Sequence, residues 1–146
     1  FITDPVEIKV EKAKKQDIEL DLHPHHRKGG RKFSVKDRFY LSKNDVDSIE
    51  EEEVVRLISC MNITKKGDSF VFHSKEPSKD IKKKIHWLPV GEIVETSIML
   101  PDCKTIKGYA EVNINKIKEG DVVQFERYAF CRLDNKKENV FWYTHK

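Results

Sequence analysis

The stretch DVVQFERYAFCRLDN, residues 121–135, is the most strand-like part of the chain and decides its fold class. β-Branched and aromatic side chains, which favour strands, are interleaved there with polar ones. The apolar members are Val122, Val123, Phe125, Tyr128, Phe130, Cys131 and Leu133, and the polar members include Gln124, Glu126, Arg127 and Arg132. We predict a β-strand whose polar side chains form either its solvent face or a binding surface.

The rest of the chain repeats the strand pattern, as alternation or as short apolar runs between turn residues. The further predicted strands are 6–10, 18–22, 31–35, 37–42, 53–65, 70–74, 81–90, 92–100, 108–112 and 140–145. Asp45 is predicted to cap one short helical turn that runs through the acidic residues 50–53. Since helical period is almost absent, we predict an all-β fold, with barrels favoured because closure removes unpaired strand edges.

Length and composition describe a globular chain that lacks a disulfide framework. Its 146 residues suffice for one domain or two small ones, and 38% of them are hydrophobic against 36% charged. The net charge of +3 is compatible with a polyanionic partner but does not require one. Cys60, Cys103 and Cys131 are odd in number and widely spaced, which predicts a reducing, cytoplasmic setting.

The ends and the apolar runs of the chain bear on its cellular context. No run approaches the roughly 18 apolar residues that a membrane span needs, and no signal-peptide pattern opens the chain, so we expect no membrane partner. The first residue is Phe1 rather than Met. We therefore expect the chain to begin inside a longer protein.

Motifs for catalysis or metal binding are missing from the sequence. It contains no nucleophile elbow, no phosphate-binding loop and no dinucleotide fingerprint, so we predict no catalytic residue and no cofactor in this chain. His23, His25 and His26 cluster around a proline, a spacing that does not supply a tetrahedral ligand set, and we predict no metal site. The chain is predicted to be a binder.

Basic residues interleaved with aromatic ones favour RNA, not DNA, as the ligand. HHRKGGRKF (25–33) surrounds two glycines with cations, and IKKKIHW (81–87) ends in Trp87. Single-stranded RNA is held by such mixtures of aromatic and guanidinium planes, although the lysine run could equally be a solvated strand edge. The predicted contacts to the RNA backbone are Arg27, Arg31, Lys32, Lys82, Lys83 and Lys84.

Gln124 and Arg127 suit a base edge better than a phosphate. An amide offers a donor and an acceptor together, and a guanidinium offers a planar donor fork. Because side chains alternate along a strand, residues three apart point to opposite faces. Convergence of the two on one base therefore predicts a late strand start, a sharp twist or a bulge near residues 125–127.

Short motifs along the whole chain follow an order similar to that of one enzyme family. They are DPV (4–6), LHP (22–24), VRL (55–57), IHW (85–87), KGYAE (107–111), GDVVQFER (120–127), FCRLD (130–134) and YTHK (143–146). The chain resembles the C-terminal anticodon-binding region of the class I glutamyl- and glutaminyl-tRNA synthetases, specifically the archaeal type of glutamyl enzyme.

This resemblance implies a fold and a place in a larger enzyme. It implies two β-barrels of the ribosomal protein L25-like type, a proximal barrel from residues 1–36 and 91–146 and a distal barrel from residues 37–90. The catalytic domain would lie upstream, and the full-length glutamate–tRNA ligase would use ATP and Mg²⁺. An L25-like ribosomal RNA-binding protein and a protein–protein docking module remain the alternatives.

The resemblance also implies the roles of individual residues. Gln124 and Arg127 match the pair that reads the central anticodon base, a uridine shared by tRNA(Glu) and tRNA(Gln), and Arg56 matches an arginine that contacts the anticodon loop. Ile58 stands where the bacterial glutaminyl pattern has a second arginine, and Asp47 and Ser48 stand where it has a basic pair. These departures favour tRNA(Glu) as the partner and leave tRNA(Gln) open.

Overall fold

The computed structural model describes residues 1–23 and 25–146, and of Arg27 the main chain alone. Strands make up 56% of the chain and helices 7%, which confirms the all-β prediction. The strands are β1 (Ile2–Thr3), β2 (Pro5–Glu11), β3 (Gln16–His23), β4 (Arg27–Val35), β5 (Arg38–Ser42), β6 (Val54–Leu57), β7 (Met61–Lys66), β8 (Ser69–Ser74), β9 (Lys84–Ile85), β10 (Leu88–Pro89), β11 (Ile93–Met99), β12 (Thr105–Glu111), β13 (Val122–Phe125), β14 (Ala129–Asn135) and β15 (Val140–His145). Two short helices accompany them, α1 (Lys43–Asp47) and a 3₁₀-helix at Val112–Lys116. Of the part of the chain that is described, no helix has the length and apolar character needed to cross a bilayer.

One group of strands forms a curved six-stranded sheet, which we call sheet A. Its order is β1-β12-β11-β15-β14-β13, and the last strand in sequence, β15, lies between β11 and β14. Inward-facing side chains of these strands build one hydrophobic core, because buried and exposed positions alternate along β13 and β14. Its buried members are Phe1, Ile98, Ala110, Ile114, Phe125, Ala129, Cys131, Leu133 and Phe141.

The remaining strands form a seven-stranded sheet, sheet B, and a separate hairpin. Sheet B has the order β10-β5-β2-β8-β7-β6-β9, and β3 pairs with β4 alone. Phe33 and Val35 of the hairpin are buried in the same core as Phe39, Leu41 and Trp87 of the region that sheet B occupies. The hairpin therefore packs on sheet B, and its tip extends beyond that core.

The strand pairing differs from the predicted division of the chain at residue 36. Strand β2 pairs antiparallel with β5 and parallel with β8, so residues 5–11 lie in sheet B with residues 38–89. Of the described residues in 1–36, β1 pairs with a strand of residues 91–146 and Phe1 is buried in their core. Such non-local pairing has no local sequence signal. A separate folding of the two groups, and their likeness to the L25 type, stay predictions.

Two predicted long strands are hairpins instead. Residues 53–65 divide into β6 and β7, and residues 121–135 divide into β13 and β14. Each turn has three residues and is closed by one main-chain bond, Cys60 N–H to Leu57 O at 3.0 Å and Tyr128 N–H to Phe125 O at 2.9 Å. The middle residues, Ser59 and Arg127, have φ of 57° and 61°. Because glycine or asparagine usually takes such angles, neither turn was visible in the sequence.

Helix α1 also differs from its prediction. It begins after Ser42, whose hydroxyl accepts a hydrogen bond from Asp45 N–H at 3.1 Å. The cap is therefore Ser42, and Asp45 lies in the first turn, where a carboxylate is favoured by the helix dipole. The prediction of Asp45 as the cap, and of a helical turn through residues 50–53, was wrong.

Candidate nucleic-acid interface

The two hairpin turns face the same groove between sheet A and sheet B. The groove, of about 700 Å³, is lined by Ile58 and Ser59 of the first turn and by Gln124 and Glu126 of the second. Strand β3 and Arg31 of β4 form its third side. The ends of two equivalent hairpins and one side of the third hairpin therefore converge on one concave surface.

A smaller cavity opens beside Gln124, and we call it the Gln124 cavity. It has a volume of about 150 Å³. Its polar lining residues are Arg31, His86, Glu111, Asn113, Gln124 and Glu126, and its apolar ones are Phe1, Leu22, Ile114, Ile117, Val123 and Phe125. Apolar walls with a few polar groups are the usual composition of a small-ligand site.

Gln124 lies on β13, at the open edge of sheet A, with its side chain exposed. Its cross-strand neighbour is Phe130, which in turn pairs with His145. The Phe130 and His145 rings are stacked, with centroids 4.6 Å apart and planes 12° apart. The stacked rings therefore lie on the same face of sheet A as the Gln124 side chain, the face opposite the core residues Phe125 and Cys131.

Arg31 is the predicted backbone contact that the structure brings to Gln124. Its guanidinium makes a two-point ion pair with Glu111, Nη2 to Oε2 at 2.6 Å and Nε to Oε1 at 2.8 Å. A paired fork of this kind holds the guanidinium plane in one orientation. The bond also joins the β3–β4 hairpin to the end of β12 across the groove.

Arg127 lines a different cavity from Gln124. The irregularity expected near residues 125–127 is present, because the ladder ends at Phe125 and a turn follows. However, Arg127 borders a cavity of about 200 Å³ with Ser42 and Asp45, and Glu126 lines both this cavity and the Gln124 cavity. The convergence of Gln124 and Arg127 on one base is therefore not seen in this structure.

The guanidinium of Arg127 is held loosely. Its contact with Asp45 is a single Nη2 to Oδ1 bond of 3.4 Å, and 46% of the arginine side chain is exposed. Exposed single-bond ion pairs contribute about 0–1 kcal/mol. The side chain can therefore leave Asp45 at little cost.

Arg56 occupies the position in β6 that Gln124 occupies in β13, one residue before the strand ends. Its Nη1 donates to Asn62 Oδ1 at 2.9 Å and to the carbonyl of Lys75 at 3.0 Å. Arg56 lines none of the groove, the Gln124 cavity and the Arg127 cavity, whereas Ile58, two residues later, lines the groove. In this structure Arg56 therefore anchors the segment after β8.

The lysine and arginine candidates for backbone contacts divide into exposed and engaged groups. Lys32, Lys82 and Lys84 are exposed. Lys83 donates to Glu53 Oε2 at 2.8 Å and is half-buried. The side chain of Arg27 lies outside the described residues. Within residues 1–23 and 25–146, no group of three His, Cys, Asp or Glu side chains is arranged to hold a metal ion.

His86 contributes a buried imidazole to the edges of both cavities. Burial, together with the neighbouring positive charges of Arg31 and Arg127, lowers the pKa of His86 well below its ordinary value of 6.5. Glu126 Oε2 lies 3.8 Å from His86 Nδ1. The imidazole is therefore neutral at pH 7 and can both donate and accept a hydrogen bond.

Two family models match this chain, over residues 1–85 and 84–134. Both describe the anticodon-binding domain of class I tRNA synthetases (E and Q). The chain belongs to this family. The predicted family is thereby confirmed, and the groove between the two turns lies in an anticodon-binding domain.

Archaeal relatives match this chain over its whole length. The glutamate–tRNA ligase of Methanobrevibacter smithii is 38% identical over 154 residues, that of Pyrococcus furiosus 35% over 162 residues and that of Methanothermobacter thermautotrophicus 32% over 152 residues. Each alignment covers 100% of this chain and 27–28% of the relative. The chain therefore spans about a quarter of the length of these curated relatives.

Three residues of the site were missed by reasoning from the sequence. Glu111 orients Arg31, Asn113 lines the Gln124 cavity and Glu126 separates the two cavities. Glu111 stands in the motif KGYAE, but nothing in that motif names its partner 80 residues away. A long-range pair of this kind becomes visible only in the folded chain.

Proposed function

We propose that this chain is the anticodon-recognition region of a glutamate–tRNA ligase and that it binds tRNA(Glu). The catalytic domain, which would use ATP and Mg²⁺ to activate glutamate, would lie elsewhere in the full-length cytoplasmic enzyme. Membership of the family and the names of the relatives support this proposal.

The arrangement of Gln124 and Arg31 in one cavity carries the proposal. An unstacked base needs apolar surfaces for its faces and matched donors and acceptors for its edge. Leu22, Ile114 and Val123 offer the former. The Gln124 amide offers a donor and an acceptor, and Arg31 offers the N–H groups that Glu111 and the Asp21 carbonyl leave free. A uracil edge presents two carbonyl oxygens on either side of one N–H, so guanidinium donors beside an amide complement it.

Arg127 acts in this proposal from the neighbouring cavity. A non-glycine residue held at positive φ costs about 1–3 kcal/mol, and such outliers concentrate at functional sites. Arg127 is held in this way at φ 61°. We propose that it leaves Asp45 and turns to the RNA when the anticodon binds.

The remaining proposed contacts concern the anticodon loop and the phosphates. Arg56 would contact the loop from sheet B, and Arg27, Lys32, Lys82, Lys83 and Lys84 would contact the RNA backbone, with Arg31 reassigned here from the backbone to the base edge. Because tRNA(Gln) shares the central uridine, the same contacts admit it unless other positions reject it. The exposed Lys32, Lys82 and Lys84 are free to reach phosphates, which supports a salt-dependent contribution.

Binding of an anticodon stem-loop to the chain tests the proposal. We expect Gln124→Leu, which keeps the size of the side chain but removes its polar edge, to weaken binding of the tRNA(Glu) stem-loop by about 10-fold or more, as for a lost base contact. The measurement is fluorescence anisotropy with a labelled stem-loop, repeated with adenosine in place of the central uridine. The base-substituted RNA is the control, since both proteins should bind it equally.

Three outcomes would contradict the proposal. Equal affinity of the wild-type chain for the uridine and adenosine stem-loops would show that the chain does not recognise the central base. Binding of ribosomal RNA stem-loops with the same affinity would favour the L25-like alternative. Absence of any RNA binding would favour the alternative of a protein–protein docking module.

A further inference from the structure

Asn113 is the buried polar residue of the Gln124 cavity that the fold does not satisfy. The residue is 9% exposed and lies in the 3₁₀-helix that follows β12. Its Nδ2 atom is buried and has no hydrogen-bond partner, and no other buried side-chain nitrogen or oxygen of the described residues shares this property. Because buried amides are almost always paired, an unpaired one next to a cavity points to a ligand.

The orientation of the Asn113 amide follows from its other bond. Lys116 Nζ donates to Asn113 Oδ1 at 3.0 Å. An ammonium group has no acceptor, so the amide oxygen must face Lys116 and the NH₂ group must face away from it. The reversed amide would place two donors against each other. The unpaired group is therefore a donor, and it calls for an acceptor.

The surrounding groups narrow the chemistry of that acceptor. Arg31 and Gln124 line the same cavity and also offer donors, whereas Glu111 is occupied by Arg31. A donor-rich cavity with apolar walls suits a flat ring that presents carbonyl oxygens. A phosphate would meet the carboxylates of Glu111 and Glu126 in this cavity, which repel it.

We propose that Asn113 contacts the bound nucleobase directly, by donating a hydrogen bond from Nδ2 to a carbonyl oxygen of a pyrimidine in the Gln124 cavity. This inference rests on the proposed function and adds a specificity-determining residue to it. Since the nitrogen is covered in the ligand-free structure, the amide must turn toward the cavity when the base enters. The exposed side chain of Lys116 is flexible enough to follow the amide oxygen.

A double-mutant cycle between protein and RNA tests the contact. The protein variant is Asn113→Leu, similar in size and without the donor, and the RNA variant is a tRNA(Glu) anticodon stem-loop that is abasic at its central position. We expect the substitution to weaken binding of the intact stem-loop by about three- to tenfold and to leave binding of the abasic stem-loop unchanged. Asn115→Leu, an exposed position of the same helix, is the matched control and should change neither.

The stability of the Asn113→Leu variant distinguishes a contact to RNA from a purely structural role of the amide. Replacing Asn113 by leucine loses one hydrogen bond, from the exposed Lys116, but also removes the unpaired buried donor, so the urea midpoint should change little. An amide with both groups paired would be costly to remove. Asn62, whose Nδ2 donates to Ser74 and to the Glu76 carbonyl, provides that comparison: Asn62→Leu should lower the midpoint.

The outcomes separate this inference from the proposed function. If the wild-type chain does not distinguish the intact from the abasic stem-loop, the proposed function itself fails. If it does, and Asn113→Leu loses no affinity for the intact RNA or loses it equally for both RNAs, the inference alone is overturned. A fall in the urea midpoint of Asn113→Leu as large as that of Asn62→Leu would also overturn it, because Nδ2 would then have a partner in the fold. Should the leucine variant not fold, Asn113→Ala is put through the same cycle.

Discussion

Arg127→Gly separates the free-energy cost of the positive φ in the turn from the contribution of the Arg127 side chain to RNA binding. Arg127 is held at φ 61°, where a side chain costs about 1 kcal/mol relative to glycine. The substitution removes that cost, but it loses an exposed ion pair worth about 0–1 kcal/mol and adds about 0.5–1 kcal/mol of glycine's unfolded-state entropy. The terms nearly cancel, so the free energy of unfolding should change little.

Arg127→Ala keeps the backbone cost and loses the same ion pair. We therefore expect the glycine variant to be at least as stable as the alanine variant, by up to about 0.5 kcal/mol, the reverse of the order at a negative φ. Both variants lose the guanidinium, and both should bind the tRNA(Glu) stem-loop about 10- to 100-fold more weakly if it contacts a base.

Urea unfolding and anisotropy together measure the two effects. Ser59→Gly is the matched control for the backbone, because Ser59 holds the same place in the equivalent turn at φ 57°. It should likewise be at least as stable as Ser59→Ala. An alanine variant of Arg127 more stable than the glycine variant would refute the strain argument. Unchanged discrimination between uridine and adenosine at the central position would refute the assigned role in base recognition.

Two further expectations concern pH and salt. The folded-state pKa of His86 is below 6.5, so at lower pH the unfolded chain binds more protons than the folded chain, and stability should fall as the pH drops below about 6.5. His86→Gln should flatten this pH dependence in urea unfolding measured at several pH values. A pH dependence that the substitution leaves unchanged would contradict the burial argument. Lys84→Ala should weaken RNA binding slightly and reduce its salt dependence without changing stability, because Lys84 is exposed. Lys83→Ala should lower the free energy of unfolding by up to about 1 kcal/mol through loss of the Glu53 pair. A loss of stability in Lys84→Ala with a change of salt dependence only in Lys83→Ala, measured in parallel titrations, would show that the exposed lysine is not the RNA contact.

The sequence predicted the strands better than it predicted where they turn. Strand β15 was expected at 140–145 and runs over those residues, because its apolar run is bounded by clear polar segments. The hairpins at 58–60 and 126–128 were missed because arginine and serine occupy left-handed positions that carry no glycine signal. Strain of this kind is affordable only when the surrounding ladders hold it, and local propensity does not report those ladders.

The site was predicted in its parts but not in its arrangement. Gln124 and Arg31 were both identified, the first by family motif and the second by its basic neighbourhood. Their juxtaposition depends on the β3–β4 hairpin packing on sheet B and reaching sheet A through Glu111. The unpaired amide of Asn113 is invisible in the sequence for the same reason, since an asparagine's partners are known only once the chain has folded.

The central place of β15 has a consequence for biosynthesis. Of the six strands of sheet A it leaves the ribosome last, yet it joins β11 to β14 and thereby attaches the hairpin that carries Gln124 and Arg127. Until residues 140–145 emerge from the exit tunnel, that hairpin has no neighbour on one side and its apolar face stays open to chaperones. A nascent chain can therefore complete sheet B before sheet A, whose hairpin with Gln124 and Arg127 is fixed only after residues 140–145 have emerged.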